Sequence, residues 1–159
     1  MQMAQNLMNT PVTLDELKNH LHMFTSDFDS NLEMDLYAAV AKAEAFTNTN
    51  IRRVEQQVSV PFAIKTEIPG YNVVVTDVKV DGSSVNFTLA NGVLIVDAAV
   101  GTTLSYTVAK GYTNADCPAD IKMAILLMAA KFFNNPVDSV ENLPSASQAL
   151  LHPYKLYCL

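Results

Sequence analysis

In the stretch "DFDSN", Asp27, Asp29 and Asn31 stand where the first, third and fifth ligands of a calcium loop would stand. Oxygen donors at such alternate places can converge on a hard cation, but the sixth place needs glycine and the twelfth a bidentate glutamate. Here those places hold Leu32 and Ala38. The pattern fails at both, and what is left is acidic residues near a helix start, facing the positive end of its dipole. His20 and His22 are two residues apart, so on one helix they point away from each other. His152 lies far along the chain beside Pro153, and all three read as surface histidines. Nucleophilic catalysis needs a Ser or Cys held beside a base, yet there is no G-x-S-x-G turn and neither Cys117 nor Cys158 belongs to a motif with histidine. No glycine-rich phosphate cradle is present. Asp77, Asp81 and Asp97 fall at expected strand ends and turns, where Asp is favoured for backbone reasons. A general acid–base pair among those three is the one catalytic arrangement left open. The expectation is a protein that is not an enzyme and takes no cofactor or metal.

Composition narrows the class further. The chain has 159 residues, one domain's worth, and 50% of them are hydrophobic against 16% charged, which excludes a disordered, solvating chain. Ten Lys and Arg against sixteen Asp and Glu leave a net charge of −6, the wrong sign for a protein held to nucleic acid through phosphates. Only Arg52 and Arg53 are adjacent, and they read as a solvated edge after a helix. Two distant cysteines make no disulfide framework or metal spacing, so both are expected reduced, as in a cytosolic site of folding. The opening "MQMAQNLMNTP" lacks the basic and apolar blocks of a secretory signal. The longest apolar stretch, Met123 to Ala130, is flanked by Lys122 and Lys131 and is far short of the roughly 20 residues a membrane span needs.

The elements that must position any site follow from periodicity. Residues 1–12 read as a flexible arm ending near Pro11, residues 13–151 as one domain, and residues 152–159 as a C-terminal tail. Within the domain, residues 13–50 and 113–151 read as helical and residues 54–112 as a β insert. Thr13 with Glu16 three places on is a capping box, and Leu14, Leu17 and Leu21 form an apolar stripe behind it. A second helix runs from about Ser30 into the upper forties on Leu32, Leu36, Val40 and Ala43, and "TNTN" ends it. From Val54 to Tyr112 the period changes to two, with alternation around Asp81-Gly82, Asn91-Gly92 as a hairpin turn, and Pro61 and Pro69 at strand ends or edges. This predicts a compact antiparallel sheet inserted between the second and third helices: fold class α+β, a small helical bundle with a β insert. The third helix opens after Pro118 with Asp120 in its first turn, and a short helix lies between Pro144 and Pro153.

The third helix has almost no polar face. Ile121, Ala124, Ile125, Met128, Ala129 and Phe132 form one stripe, while Met123, Leu126, Leu127 and Ala130 form a second, offset one. Each large side chain in such a stripe gains roughly 1.5–3 kcal/mol on burial, so something must cover both. The cover is either the chain's own sheet or a neighbouring copy, and periodicity does not choose between them.

The order and wording of these pieces resemble the head–tail connector (adaptor) proteins of tailed bacteriophages. "VTLDELKNHLHM" and "LEMDLYAAVAKAEAFTN" are similar to that family's opening helices. "VVVTDVKVDG" and "LIVDAAVGTTLSYTVAKGY" resemble its inserted strands, including the strand closing in Gly-Tyr. "CPADIKMAILLMAAKFFNNP" resembles its Pro-initiated apolar helix, and "LPSASQALLHPYKL" its closing helix. The resemblance spans roughly residues 12 to 156. The chain departs from it where members carry an Arg-rich stretch after the long helix and a Pro-Tyr-Arg ending. Here stand "NNPVDSVEN" and "HPYKL", so no contacts of those arginines carry over.

The resemblance implies a structural virion protein at the head–tail junction, assembled in the host cytoplasm. Its partners would be copies of itself in a ring, twelvefold in that family, the portal protein above, and stopper or tail proteins below. DNA would pass through the channel without specific binding, which an acidic lumen favours. A ring contact joins two different patches, as a helix with two unlike stripes would allow. The contact residues expected on this reading are Met123, Leu127 and Ala130 on the second stripe and Tyr154 and Leu156 on the tail. The tail from Tyr154 to Leu159 and the N-terminal arm are candidate segments that order on assembly. Two rivals remain at this level: a tail-completion or stopper subunit of the same assembly, and a small ligand-binding or enzymatic domain using Asp77, Asp81 and Asp97.

Overall fold

The computed structural model of the chain describes residues 10–135 and 144–157. Most of the expected arm, most of the "NNPVDSVEN" loop, Cys158 and Leu159 therefore lie outside the described residues. The chain divides into two compact units: residues 1–52 with 112–159, and residues 53–111. The class is α+β, a helical bundle whose second and third helices are separated in sequence by an antiparallel β insert.

The helical unit is built from α1 (Leu14–His20), α2 (Asp29–Thr47), α3 (Ala119–Asn134) and α4 (Ser145–Leu151), continued by a 3₁₀ turn at His152–Tyr154. α1 starts as its capping box dictates: the Thr13 amide donates to Glu16 Oε2 at 2.8 Å and the Glu16 amide to Thr13 Oγ1 at 3.2 Å. The three described residues of the arm are already packed, with Val12 fully buried and Thr10 Oγ1 donating to the Val12 carbonyl at 2.9 Å. α2 ends at Asn48 in the left-handed conformation (φ 54°), which Asn tolerates and which stops the helix there. Its buried face is Leu32, Leu36, Ala39, Val40 and Ala43, and α2 packs on α3. Ala39 and Ala43 permit a close approach there. α4 is drawn against α3 by a buried hydrogen bond from Ser147 Oγ to the Ala124 carbonyl, 3.2 Å.

Arg52 differs from the expected solvated edge. Glu44, on the last turns of α2, accepts from the amides of Ile51 (3.0 Å) and Arg52 (2.9 Å) and binds the Arg52 guanidinium at 2.7 Å. That guanidinium also lies 5.0 Å above the Tyr37 ring. The hydrogen bonds that Arg52 donates to Glu44 outweigh the cost of burial and hold its guanidinium more firmly protonated. The Tyr112 amide donates to the Ile51 carbonyl at 2.7 Å, so Glu44 and Tyr112 together secure the segment where the chain leaves and re-enters the bundle. Arg53 donates to the carbonyls of Asn72 and Gly111 within the β unit.

The insert forms two sheets where one was expected. β1 (Val54–Pro61), β7 (Thr103–Lys110), β3 (Val74–Val80) and β4 (Ser83–Ser84) pair in that order, and β2 (Lys65–Glu67), β6 (Val93–Val96) and β5 (Phe87–Ala90) form the second sheet. All pairs are antiparallel. Both sheets point alternate side chains into one core, with Val75, Val78 and Val80 from β3, Leu94 and Val96 from β6, and Leu104, Tyr106 and Val108 from β7. A bulge between Thr76 and Lys79, with Asp77 at φ 53°, bends β3. Asp81-Gly82 (φ 50° and 83°) joins β3 to β4, and Asn91-Gly92 (φ 51° and 75°) joins β5 to β6, as two-residue turns with both residues left-handed. Pro61 ends the edge strand β1, where no ladder donor is missed.

Candidate functional site

The start of α3 is anchored through Glu16, which receives Asn114 Nδ2 at 2.7 Å and Lys122 Nζ at 3.0 Å in addition to its capping bonds. Asn114 Nδ2 also donates to the Pro11 carbonyl. Burial alone would push the Glu16 carboxyl up, but the Thr13 amide, Lys122 and Asn114 together hold it below the usual glutamate range. One carboxylate thus binds α1 to the loop before α3 and to the first turns of α3.

So anchored, α3 presents its two stripes very differently. Ile121, Ala124, Ile125, Met128 and Ala129 are fully buried. Met123 is 44% exposed, and Leu126, Leu127 and Ala130 are half-buried. The first stripe is a core face; the second is covered incompletely by the chain itself. Phe132, assigned to the first stripe from its spacing, is only half-buried, because the face turns outward at the end of the helix.

That end opens a groove that sequence reasoning missed. Phe28, Asn31, Met34, Asp35, Phe132 and Phe133 line about 450 Å³ of space between the start of α2 and the end of α3. Phe28 meets Phe133 edge to face, with ring centroids 5.8 Å apart. Met34 is 73% exposed, and Phe24 and Phe28 are exposed as well. Burial raises the Asp35 carboxyl above its ordinary range, and no ion pair or hydrogen bond among the described residues engages it. The available signal was Met34, which falls off the Leu32–Leu36 stripe, together with two phenylalanines in an otherwise acidic break.

The tail residues sit at the opposite end of α2. The Leu156 amide donates to the Thr47 carbonyl at 2.8 Å, and Asn48 Nδ2 to the Leu156 carbonyl at 3.2 Å. Lys155 lies over the Phe46 ring at 5.0 Å. Tyr154 and Leu156 are half-buried, so both are positioned by their own chain. The structure therefore brings Met123, Leu127 and Ala130 together on one face and sets Tyr154 and Leu156 apart as a latch on α2.

Several of the groups with chemistry are engaged in structural contacts. Asp29 pairs with Lys18 at 2.8 Å. Asp77 pairs with Lys79 at 2.9 Å, while Asp81 accepts the amides of Thr102 (3.0 Å) and Thr103 (2.8 Å). The hydrogen bonds from Thr102 and Thr103 hold the Asp81 carboxyl below its ordinary range. Burial pushes the Cys117 thiol up to about 12, far from a reactive thiolate. Among the described residues no three His, Cys, Asp or Glu side chains converge in a way that could hold a metal ion. No helix among them is long and apolar enough to cross a membrane.

No family model matches the sequence, and no curated protein does either. Three-dimensional comparison gives a different result. The chain is similar to one in the neck of a native gene transfer agent (GTA) particle, computed with C12 symmetry, at TM-score 0.71 and 16% identity, covering 96% of this chain and 92% of that one. The fold is that of a particle neck protein. A chain in the neck of the empty GTA particle, computed with C6 symmetry, gives TM-score 0.70 at 18% identity over 94% of this chain and 91% of that one. One in the virion of the native particle gives 0.64 at 16% identity over the same shares. The neck-protein fold accounts for the whole element order, because the match runs through both helical segments and the β insert. It also agrees with the connector resemblance carried by the sequence pieces.

Proposed function

We propose that this protein is a structural head–tail connector subunit, located in the neck of a phage-like particle, where copies of it form a ring of about twelve. The observation that carries this reading is the fold it shares, over nearly its whole length, with neck chains of a particle solved with C6 and C12 symmetry. The ring lies beneath the portal, extends the DNA channel and presents a lower surface to stopper or tail proteins. The half-covered second stripe of α3 supports a subunit contact there, with Met123, Leu127 and Ala130 facing a neighbour. A net charge of −6 suits a channel that DNA slides through without sticking. Tyr154 and Leu156, held at the end of α2, form a second contact point. The role needs no catalysis.

Native mass spectrometry over a wide concentration range, with negative-stain images of the same samples, tests the reading. Closed rings near twelve subunits are expected, either from the protein alone or on addition of purified portal rings. A chain that stays monomeric at every concentration and does not bind portal rings would refute it.

A further inference from the structure

The groove at the start of α2 carries an unusual pairing: exposed aromatic and methionine side chains around a carboxylate with no counter-ion among the described residues. Burial raises the Asp35 carboxyl, so as it stands the groove holds a charge at a cost. A partner that brings apolar surface together with a cation would cover the one and neutralise the other.

On the ring reading that partner is a second copy, and the chain's own cations narrow which of its surfaces it brings. Lys18, Arg52, Lys79 and Lys122 are in ion pairs. Arg53 is bonded to two carbonyls, Lys155 lies over two aromatic rings, and Lys42 is engaged. Lys110 is half-buried, and burial lowers its pKa. Two exposed cations with no partner among the described residues remain, Lys131 and Lys65. Lys131 stands on the groove's own helix beside Phe132, so using it would place the same patch on both sides of the contact. A ring needs two different patches. Lys65 meets that requirement. It follows Ile64, which is 50% exposed, and both are held rigidly: the Val96 amide donates to the Ile64 carbonyl at 2.9 Å, and Lys65 pairs with Ile95 across β2 and β6.

We propose that the groove of one copy receives the Ile64–Lys65 corner of the next, with Ile64 against Met34 and the phenylalanines and Lys65 beside Asp35. The inference rests on the ring reading and adds which two surfaces meet. Apolar contact supplies most of the attraction, and the ion pair fixes the direction in which subunits follow one another. Because one patch is on the helical unit and the other on the β unit, the contact propagates in a single sense.

Site-directed cross-linking tests it in a background with Cys117→Ser and Cys158→Ser. Mixing Met34→Cys protein with Ile64→Cys protein under mild oxidation is expected to give a heterodimer band. Met34→Cys mixed with Val100→Cys, placed at a residue 85% exposed elsewhere on the β unit, is expected to give at least tenfold less. Asp35→Lys and Lys65→Asp should each reduce the Met34–Ile64 product at least tenfold, and mixing copies that carry both exchanges should restore it. Equal cross-linking to both sites, or no product while native mass spectrometry shows rings, overturns this inference and leaves the ring standing. No product and no assembly, with or without portal rings, overturns both.

Discussion

Replacing Leu127 by Asp, with Ile125→Asp beside it, separates what α3 does for its own chain from what it offers a neighbour. Ile125 is fully buried on the first stripe, while Leu127 is half-buried on the second. Fully burying a large aliphatic side chain is worth about 1.5–3 kcal/mol, so half-burial puts about 1 kcal/mol at stake for Leu127. Asp in a helix interior adds up to about 0.7 kcal/mol through propensity. The expected cost of Leu127→Asp is therefore about 2 kcal/mol, with the new charge still reaching water. At a urea slope of about 2 kcal/mol/M, the midpoint falls by about 1 M. Ile125→Asp loses the whole transfer term and leaves an unpaired carboxylate in a dry site, a total of about 5 kcal/mol or more. Against a total stability of about 5–15 kcal/mol, that removes most or all of the folded population. Circular dichroism at 222 nm across a urea series reads both. The same Leu127→Asp protein, still folded, should fail to form rings in native mass spectrometry or on the portal. The reasoning is refuted if Leu127→Asp unfolds the chain as completely as Ile125→Asp, or if rings form unchanged with Asp at position 127.

Two further outcomes follow from other parts of the structure. Glu16→Gln should cost about 1 kcal/mol at neutral pH, since the exposed side of the cluster is screened by solvent. Because the folded state holds the Glu16 carboxyl below its ordinary range, its contribution is complete above that range and is lost as pH falls through the folded value. The gap between wild type and variant in urea midpoints should accordingly shrink below about pH 4.5, and a gap that widens there would contradict the assignment. Gly101→Ala should destabilise the β unit by about 1–3 kcal/mol, because the added methyl overlaps Val80 and presses on Phe62 in the core. Thermal unfolding followed by circular dichroism measures it, and an unchanged midpoint would show that the loop shifts freely.

Local signals in the sequence were sufficient where the physics is local. Thr13 and Glu16 lie three residues apart, and the capping box forms as their identities require. Asn48 stops α2, and Asn91-Gly92 turns β5 into β6, because each needs only its own backbone preference. The two periods, near four and two, separated the helical segments from the insert, and the class α+β followed. Those short-range preferences act on a few residues and can be read from them alone.

What required the tertiary structure was every decision between partners far apart in the chain. Glu16 was legible as a cap, but not as the anchor for Asn114 and Lys122, which lie 98 and 106 residues away. Arg52 looked solvated until α2 brought Glu44 and Tyr37 against it. One alternating region became two sheets, since alternation says which side chains face inward but not which strands pair. The groove at Met34 and Asp35 arises where the start of one helix meets the end of another, and neither helix predicts it alone. The two stripes of α3 have nearly the same composition. Only packing makes one a core and leaves the other half-open, because burial is set by what stands opposite a side chain and hydrophobicity only by what it is made of.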